Sequence, residues 1–134
     1  AKEENYTVSL NEERTDAAYL LGRLFAVLEK AQQDAASGGK LNATIRDRYF
    51  GAASATPQSV FPVLLRLAQH HMAKSEYGGI VDRQVEAIIG EFDGFPTHLN
   101  LEEQGDFIIG YYHQRQAFYV KKPTKVEQTA EEGQ

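Results

Sequence analysis

Ala17, Leu20, Leu21, Leu24, Phe25, Leu28 and Ala31 recur three and four positions apart, the repeat that lays side chains along one stripe of an α-helix. Thr15 or Asp16 can cap the start of this helix, and Ser37-Gly38-Gly39 ends it. Gly22 sits inside the pattern at a cost of about 1 kcal/mol against alanine, which predicts a close helix contact there. Asn42 opens a short second helix running to Phe50, its side-chain oxygen accepting from first-turn amides, and Gly51 with the small residues after it ends that helix. Thr56-Pro57 is an N-cap followed by proline at the first helical position. The third helix buries Val60, Phe61, Leu64, Leu65, Ala68 and Met72 and stops near Tyr77-Gly78-Gly79. Pro62 lacks an amide hydrogen and predicts a bend or a later start. Val81, Val85, Ile88, Ile89 and Phe92 form a fourth stripe, closed by Asp93-Gly94-Phe95-Pro96. Asn100 and Glu103 have capping-box spacing and open a fifth helix, which carries Phe107, Ile108, Tyr111, Tyr112, Phe118 and Tyr119 and ends at Lys121-Lys122-Pro123.

No segment alternates as a strand does, and there is no internal repeat. The pattern predicts an all-α protein, a single helical bundle of about five helices over residues 15–122. A polar lead-in, residues 1–14, precedes it. The tail over 123–134 has Val126 as its one aliphatic residue and is expected to be disordered. A length of 134 residues suits one domain with its own core. The absence of cysteine removes disulfides, thiol catalysis and cysteine-based zinc sites, and fits the cytoplasm. No apolar run approaches the roughly 20 residues of a membrane span, and the polar start is not a signal peptide.

Net charge is −5, but it is unevenly spread. Between Arg14 and Lys74 stand 8 basic and 4 acidic residues, whereas Ser75 to Tyr112 holds 8 acidic residues and only Arg83 as a base. Such a chain can present one face to phosphates and another to basic partner proteins, although two ordinary solvated faces satisfy the same count.

Catalytic and metal-binding patterns are missing. His70 and His71 point about 100° apart on a helix and do not readily share a metal. There is no His-Asp dipeptide, HExxH, P-loop or dinucleotide-binding glycine motif. Glu12-Glu13 and Glu102-Glu103 fall at helix starts, where carboxylates favour the dipole. No cofactor and no enzymatic activity are expected. Cationic residues are the stronger signal. Arg46 and Arg48 flank Asp47 beside Tyr49 and Phe50, and Arg46 and Tyr49 share a helix face on which a base can stack, although Phe50 suits the core and Tyr49 can equally serve to anchor the short helix. Arg66, His70 and Lys74, four apart, make one ridge able to follow a phosphate backbone or to serve as a plain solvated face. From Gly110 to Phe118, tyrosines alternate with His113, Gln114, Arg115 and Gln116, which suits a packed polar network or a recognition surface. Lys121, Lys122 and Lys125 can add diffuse phosphate attraction or serve as ordinary helix C-terminal cations.

Several phrases carry a family resemblance. They are Tyr19-Leu-Leu-Gly-Arg-Leu-Phe-Ala-Val-Leu-Glu-Lys30, Asn42-Ala-Thr-Ile-Arg-Asp-Arg-Tyr-Phe-Gly51, Ser54-Ala-Thr-Pro57, Val60-Phe-Pro62, Leu65-Arg-Leu-Ala-Gln-His-His71 and Gly110-Tyr-Tyr-His-Gln-Arg-Gln-Ala-Phe118. In this order, from about Ala17 to Lys122, they resemble the C-terminal region of the large subunit of the type I-C CRISPR Cascade complex. The resemblance implies a helical small subunit, made separately from an internal start, that lines the complex in more than one copy. It implies contacts to the guide RNA and to the target or displaced DNA strand, and to the large subunit, the backbone subunits and further copies of itself. Base pairing reads sequence in such complexes, so basic, shape-tolerant contacts are expected. Recognition of the motif flanking the target belongs to a part of the large subunit that has no counterpart here. The candidate nucleic-acid contacts are Arg23, Arg46, Arg48, Arg66, His70, Lys74 and Arg115, with no catalytic or metal residues. The alternative is a spacer that bridges subunits without touching nucleic acid, docking Glu86, Glu91 and Asp93 on basic partners.

Overall fold

Why the first helix is so apolar becomes clear from its position. In the computed structural model, which describes residues 9–36 and 43–119, α1 (Ala17–Ala36) packs against all four other helices. These are α2 (Ile45–Ala55), α3 (Pro57–Lys74), α4 (Gly78–Ile89) and α5 (Leu101–Tyr119). The described residues form an all-α bundle with no strand among them, as the periodicity predicts. The single stripe read from the sequence understates α1. Tyr19, Ala26 and Val27, off that stripe, are buried as well, because a helix surrounded by four others has no solvent side along its middle. Leader and tail fall largely outside this description. The tail over 123–134, Lys121-Lys122-Pro123 and the Ser37-Gly38-Gly39 stop all lie outside the described residues.

The core is aromatic where α1, α2, α3 and α5 meet. Phe25 lies edge-on to Phe50, Phe61, Phe107 and Tyr111, with ring centroids 5.3–6.4 Å apart. Phe50 reaches the same cluster at 4.9 Å from Tyr111. Such offset pairs add about 0.5–1.5 kcal/mol each beyond their burial. Phe61 also stacks on Phe95 from the segment after α4, which seats that segment against the bundle. There Leu99 is buried, its amide donates to the Ala55 carbonyl, and the Pro96 carbonyl accepts from the Gln58 amide. The free ends of α2 and α3 are thereby satisfied by the chain leading into α5.

Several boundaries differ from the expectation. The second helix starts at Ile45, not at Asn42, which lies outside the described residues. Thr44 caps it instead, accepting from the Asp47 amide while the Asp47 carboxylate accepts from the Thr44 amide. Gly51 does not end α2. The helix runs on to Ala55, since an open glycine surrounded by alanines costs less than the turns it would break. Thr56 holds the N-cap position of α3, but its hydroxyl donates backward to the Ala52 carbonyl. Pro62 neither delays the start of α3 nor ends it. It removes the amide that would have bonded the Gln58 carbonyl, one turn inside the helix. Gly78 and Gly79 open α4 rather than forming a loop, and at Gly78 a Cβ would collide with the Met72 carbonyl. Asn100 and Glu103 make the expected capping box, each side chain accepting from the other's amide at 2.8 Å.

Candidate nucleic-acid interface

Helix α3 turns Leu64 and Ala68 into the core and half-buries Met72, so its other side must face water. Arg66, His70 and Lys74 occupy that side, all exposed. Four-residue spacing sets them about 6 Å apart along one ridge. Next to this ridge lies a groove of about 310 Å³ between α1, α2 and α3. Gln32 lines it from α1, Ala43, Thr44, Ile45, Arg48 and Tyr49 from the start of α2, and Leu67 and His71 from α3. The Gln32 carbonyl oxygen is already fixed by the Ile45 amide at 2.9 Å, which leaves the Gln32 amide hydrogens for the groove. Arg48 is exposed, and neither it, Arg66 nor Lys74 has a carboxylate partner among the described residues. Four of the candidate cations, Arg48, Arg66, His70 and Lys74, thus gather on one side of the molecule.

Arg23, Arg46 and Arg115 are placed otherwise, each engaged by α5 or belonging to it. Arg23 donates to the Gln114 side chain at 3.0 Å, both in the α1–α5 seam. Arg46 donates to the Tyr112 hydroxyl at 2.5 Å, its guanidinium over the rings of Phe50, Tyr111 and Tyr112. Arg115 sits over Tyr119. The expected platform of Arg46 with Tyr49 is not formed. The core aromatics draw Arg46 toward α5, and Tyr49 lines the groove with Arg48 instead. The polar stretch from Gly110 to Phe118 is a packed network, the first of its two readings. The Tyr111 hydroxyl donates to buried Glu29 at 2.6 Å. Tyr19 accepts from the Asn11 amide and bonds His113 Nδ1 at 2.8 Å. His71 was set aside in the sequence as one of an adjacent pair. Its place in the groove follows from its standing one position beyond His70 and four beyond Leu67.

Two imidazoles respond to this packing. Burial, then the cations His70 and Lys74, hold His71 below the usual histidine range. Burial, then Arg14, does the same for His113. His71 Nδ1 is buried and has no hydrogen-bond partner among the described residues. A histidine whose folded-state pKa is depressed stabilises the fold above its unfolded value of about 6.5 and loses that contribution as pH falls through the folded one. Urea midpoints are therefore expected to be level above about pH 7 and to fall as pH drops below about 6.5. The double variant His71→Gln, His113→Gln should flatten that fall. An equal slope in the variant would assign acid sensitivity elsewhere.

Taken together, the described residues define a small helical bundle that presents a basic ridge and a polar groove on one side. Among them no three metal-ligating side chains cluster, and no helix is long and apolar enough to cross a membrane. The chain belongs to the CRISPR-associated protein family Cas_Csd1, whose match spans residues 1–119. The resemblance read in the sequence holds at the level of the family. The match takes in the polar lead-in, which the resemblance left out, and stops at Tyr119 rather than Lys122. No curated protein matches the chain.

Proposed function

We propose that this chain is a non-catalytic small subunit of a type I-C Cascade complex, which steadies the guide RNA–target DNA R-loop through sequence-independent backbone contacts. The observation that carries the reading is the gathering of Arg48, Arg66, His70 and Lys74 on one side, exposed, in a member of a CRISPR-associated family. Guanidinium and ammonium groups with no carboxylate partner among the described residues are available to phosphates, and a ridge of such groups suits a duplex read by base pairing. The net charge of −5 predicts weak binding by the isolated chain and useful binding only where several contacts add within an assembly.

The test replaces Arg66 and Lys74 by alanine and measures target-DNA binding by the guide-loaded complex over a salt series. If both residues meet phosphates, affinity drops and the slope of log K against log salt falls by about 2. Unchanged affinity and slope would remove the ridge from the interface. A second reading has its own observation. Asp82, Glu86, Glu91 and Asp93 are all exposed on α4 and just beyond it. As a spacer docked there on basic subunits, the chain would fail to assemble after Glu86→Lys with Asp93→Lys and would tolerate loss of the ridge.

A further inference from the structure

The groove between α1, α2 and α3 differs in chemistry from the ridge beside it. Arg66 and Leu67 are neighbours on α3, as are His70 and His71, so the ridge and one wall of the groove are adjacent sides of one helix. A nucleic-acid strand whose phosphates follow the ridge therefore holds its bases within reach of the groove. Among the described residues the lining has no carboxylate, and Arg48 is its one charge at neutral pH. Burial, then His70 and Lys74, keep His71 in the neutral form. The volume of about 310 Å³ suits a small ring and its linkage.

Its walls are apolar and its edges donate. Tyr49 from α2 and Leu67 from α3 supply the apolar surface, Leu67 at 37% exposure. Gln32 is oriented by the Ile45 amide, which occupies its carbonyl oxygen and leaves both amide hydrogens to donate. The Thr44 hydroxyl accepts from the Asp47 amide and keeps its own hydrogen. A bare phosphate would leave the apolar walls uncovered. A flat, uncharged ring with carbonyl oxygens, carried on an anionic chain, meets every part of the site. Thymine and uracil present two such oxygens, and adenine presents none. We propose that this groove binds one unpaired pyrimidine, thymine or uracil, stacked on Tyr49 with its carbonyl oxygens toward Gln32 and Thr44, from a strand whose phosphates lie on Arg48 and the α3 ridge. A duplex keeps its bases paired, so the groove selects an unpaired stretch. The base is carried there only if the ridge meets phosphates. The pocket thus rests on the function proposed above and adds a base preference that phosphate contacts alone cannot give.

The test titrates the full chain at low salt with single strands of about ten nucleotides, followed by NMR. The strands are oligothymidylate, oligouridylate, oligoadenylate and an abasic deoxyribose phosphate of the same length. Oligothymidylate and oligouridylate are expected to bind about fivefold or more tighter than the other two, although adenine is the better stacker. Whichever of the two binds tighter names DNA or RNA as the source of the base, and either order supports the pocket. Tyr49→Leu, with unchanged helical circular dichroism, should weaken oligothymidylate binding about tenfold and leave the abasic strand as it was. Gln32→Glu keeps an acceptor for the Ile45 amide but has no hydrogen to donate, so the preference for thymine over adenine should vanish. If all four strands bind alike and shift Arg66 and Lys74, the ridge holds phosphates and the groove takes no base. Equal or tighter binding of oligoadenylate than of oligothymidylate also overturns the pocket. If no strand binds, the reading of the ridge falls with it.

Discussion

Alanine at Gly110 is expected to cost the bundle about 3 kcal/mol or more, a large share of the stability of a domain this size. The added methyl would run into the backbone of Tyr19 on α1, and one at Gly22 would run into the Phe107 carbonyl and the Tyr111 amide on α5. Each helix thus offers the other a glycine, and the two backbones touch where side chains would hold them apart. Backbone atoms cannot swing aside as the end of a side chain does, so the helices must separate and the aromatic cluster beneath them loosens. Gly51 supplies the control. It lies within α2 with no atom within 4 Å of its would-be Cβ. Gly51→Ala should therefore raise stability by about 0.5–1 kcal/mol. Urea unfolding followed by circular dichroism separates the cases, and equal stability of the two variants would disprove the close approach.

Tyr111→Phe is expected to cost about 2–3 kcal/mol, although it removes one oxygen and leaves the ring in place. Glu29 is 5% exposed, and the Tyr111 hydroxyl donates to it. Burial, then this hydrogen bond and the Glu29 charge, push the phenol well above its ordinary range, against a smaller opposing pull from Arg115 and Arg46. The hydroxyl accordingly keeps its proton and goes on donating. Without it a buried carboxyl loses its partner, and that loss outweighs the bond's own modest net worth. Glu29→Gln keeps an acceptor and should cost less. Tyr111→Phe combined with Glu29→Leu should recover part of the loss, because no buried polar group is then stranded. Additive losses across that cycle would mean the two groups do not depend on each other.

What the sequence made legible was periodicity. Apolar spacing found five helices and most of the core, and Asn100 with Glu103 marked the last helix start. Boundaries failed where two local signals competed. Asn42 and Thr44 are both good caps, and only Thr44 has an acidic residue at the third position to return the bond. Gly51 and Gly78-Gly79 read as stops, yet helix runs through the first, where the following alanines sustain it, and begins at the second, where Gly78 packs against the Met72 carbonyl. For the candidate interface, the ridge of Arg66, His70 and Lys74 followed from four-residue spacing alone. The groove did not, because Gln32, Arg48 and His71 come from three helices and no spacing within one of them brings them together. The engagement of Arg46 by α5 was not legible for the same reason. Its partner Tyr112 is 66 residues away.

The central place of α1 carries a cost during synthesis. Its most extensive neighbour is α5, the last of the five helices to be made. At roughly 5–20 residues per second, some 4–17 seconds pass between completion of Ala36 and of Tyr119. Over that interval the side of α1 that α5 covers stays open, and the chain is exposed to chaperones, to proteases and to other nascent chains. Folding of this bundle therefore waits on its final helix.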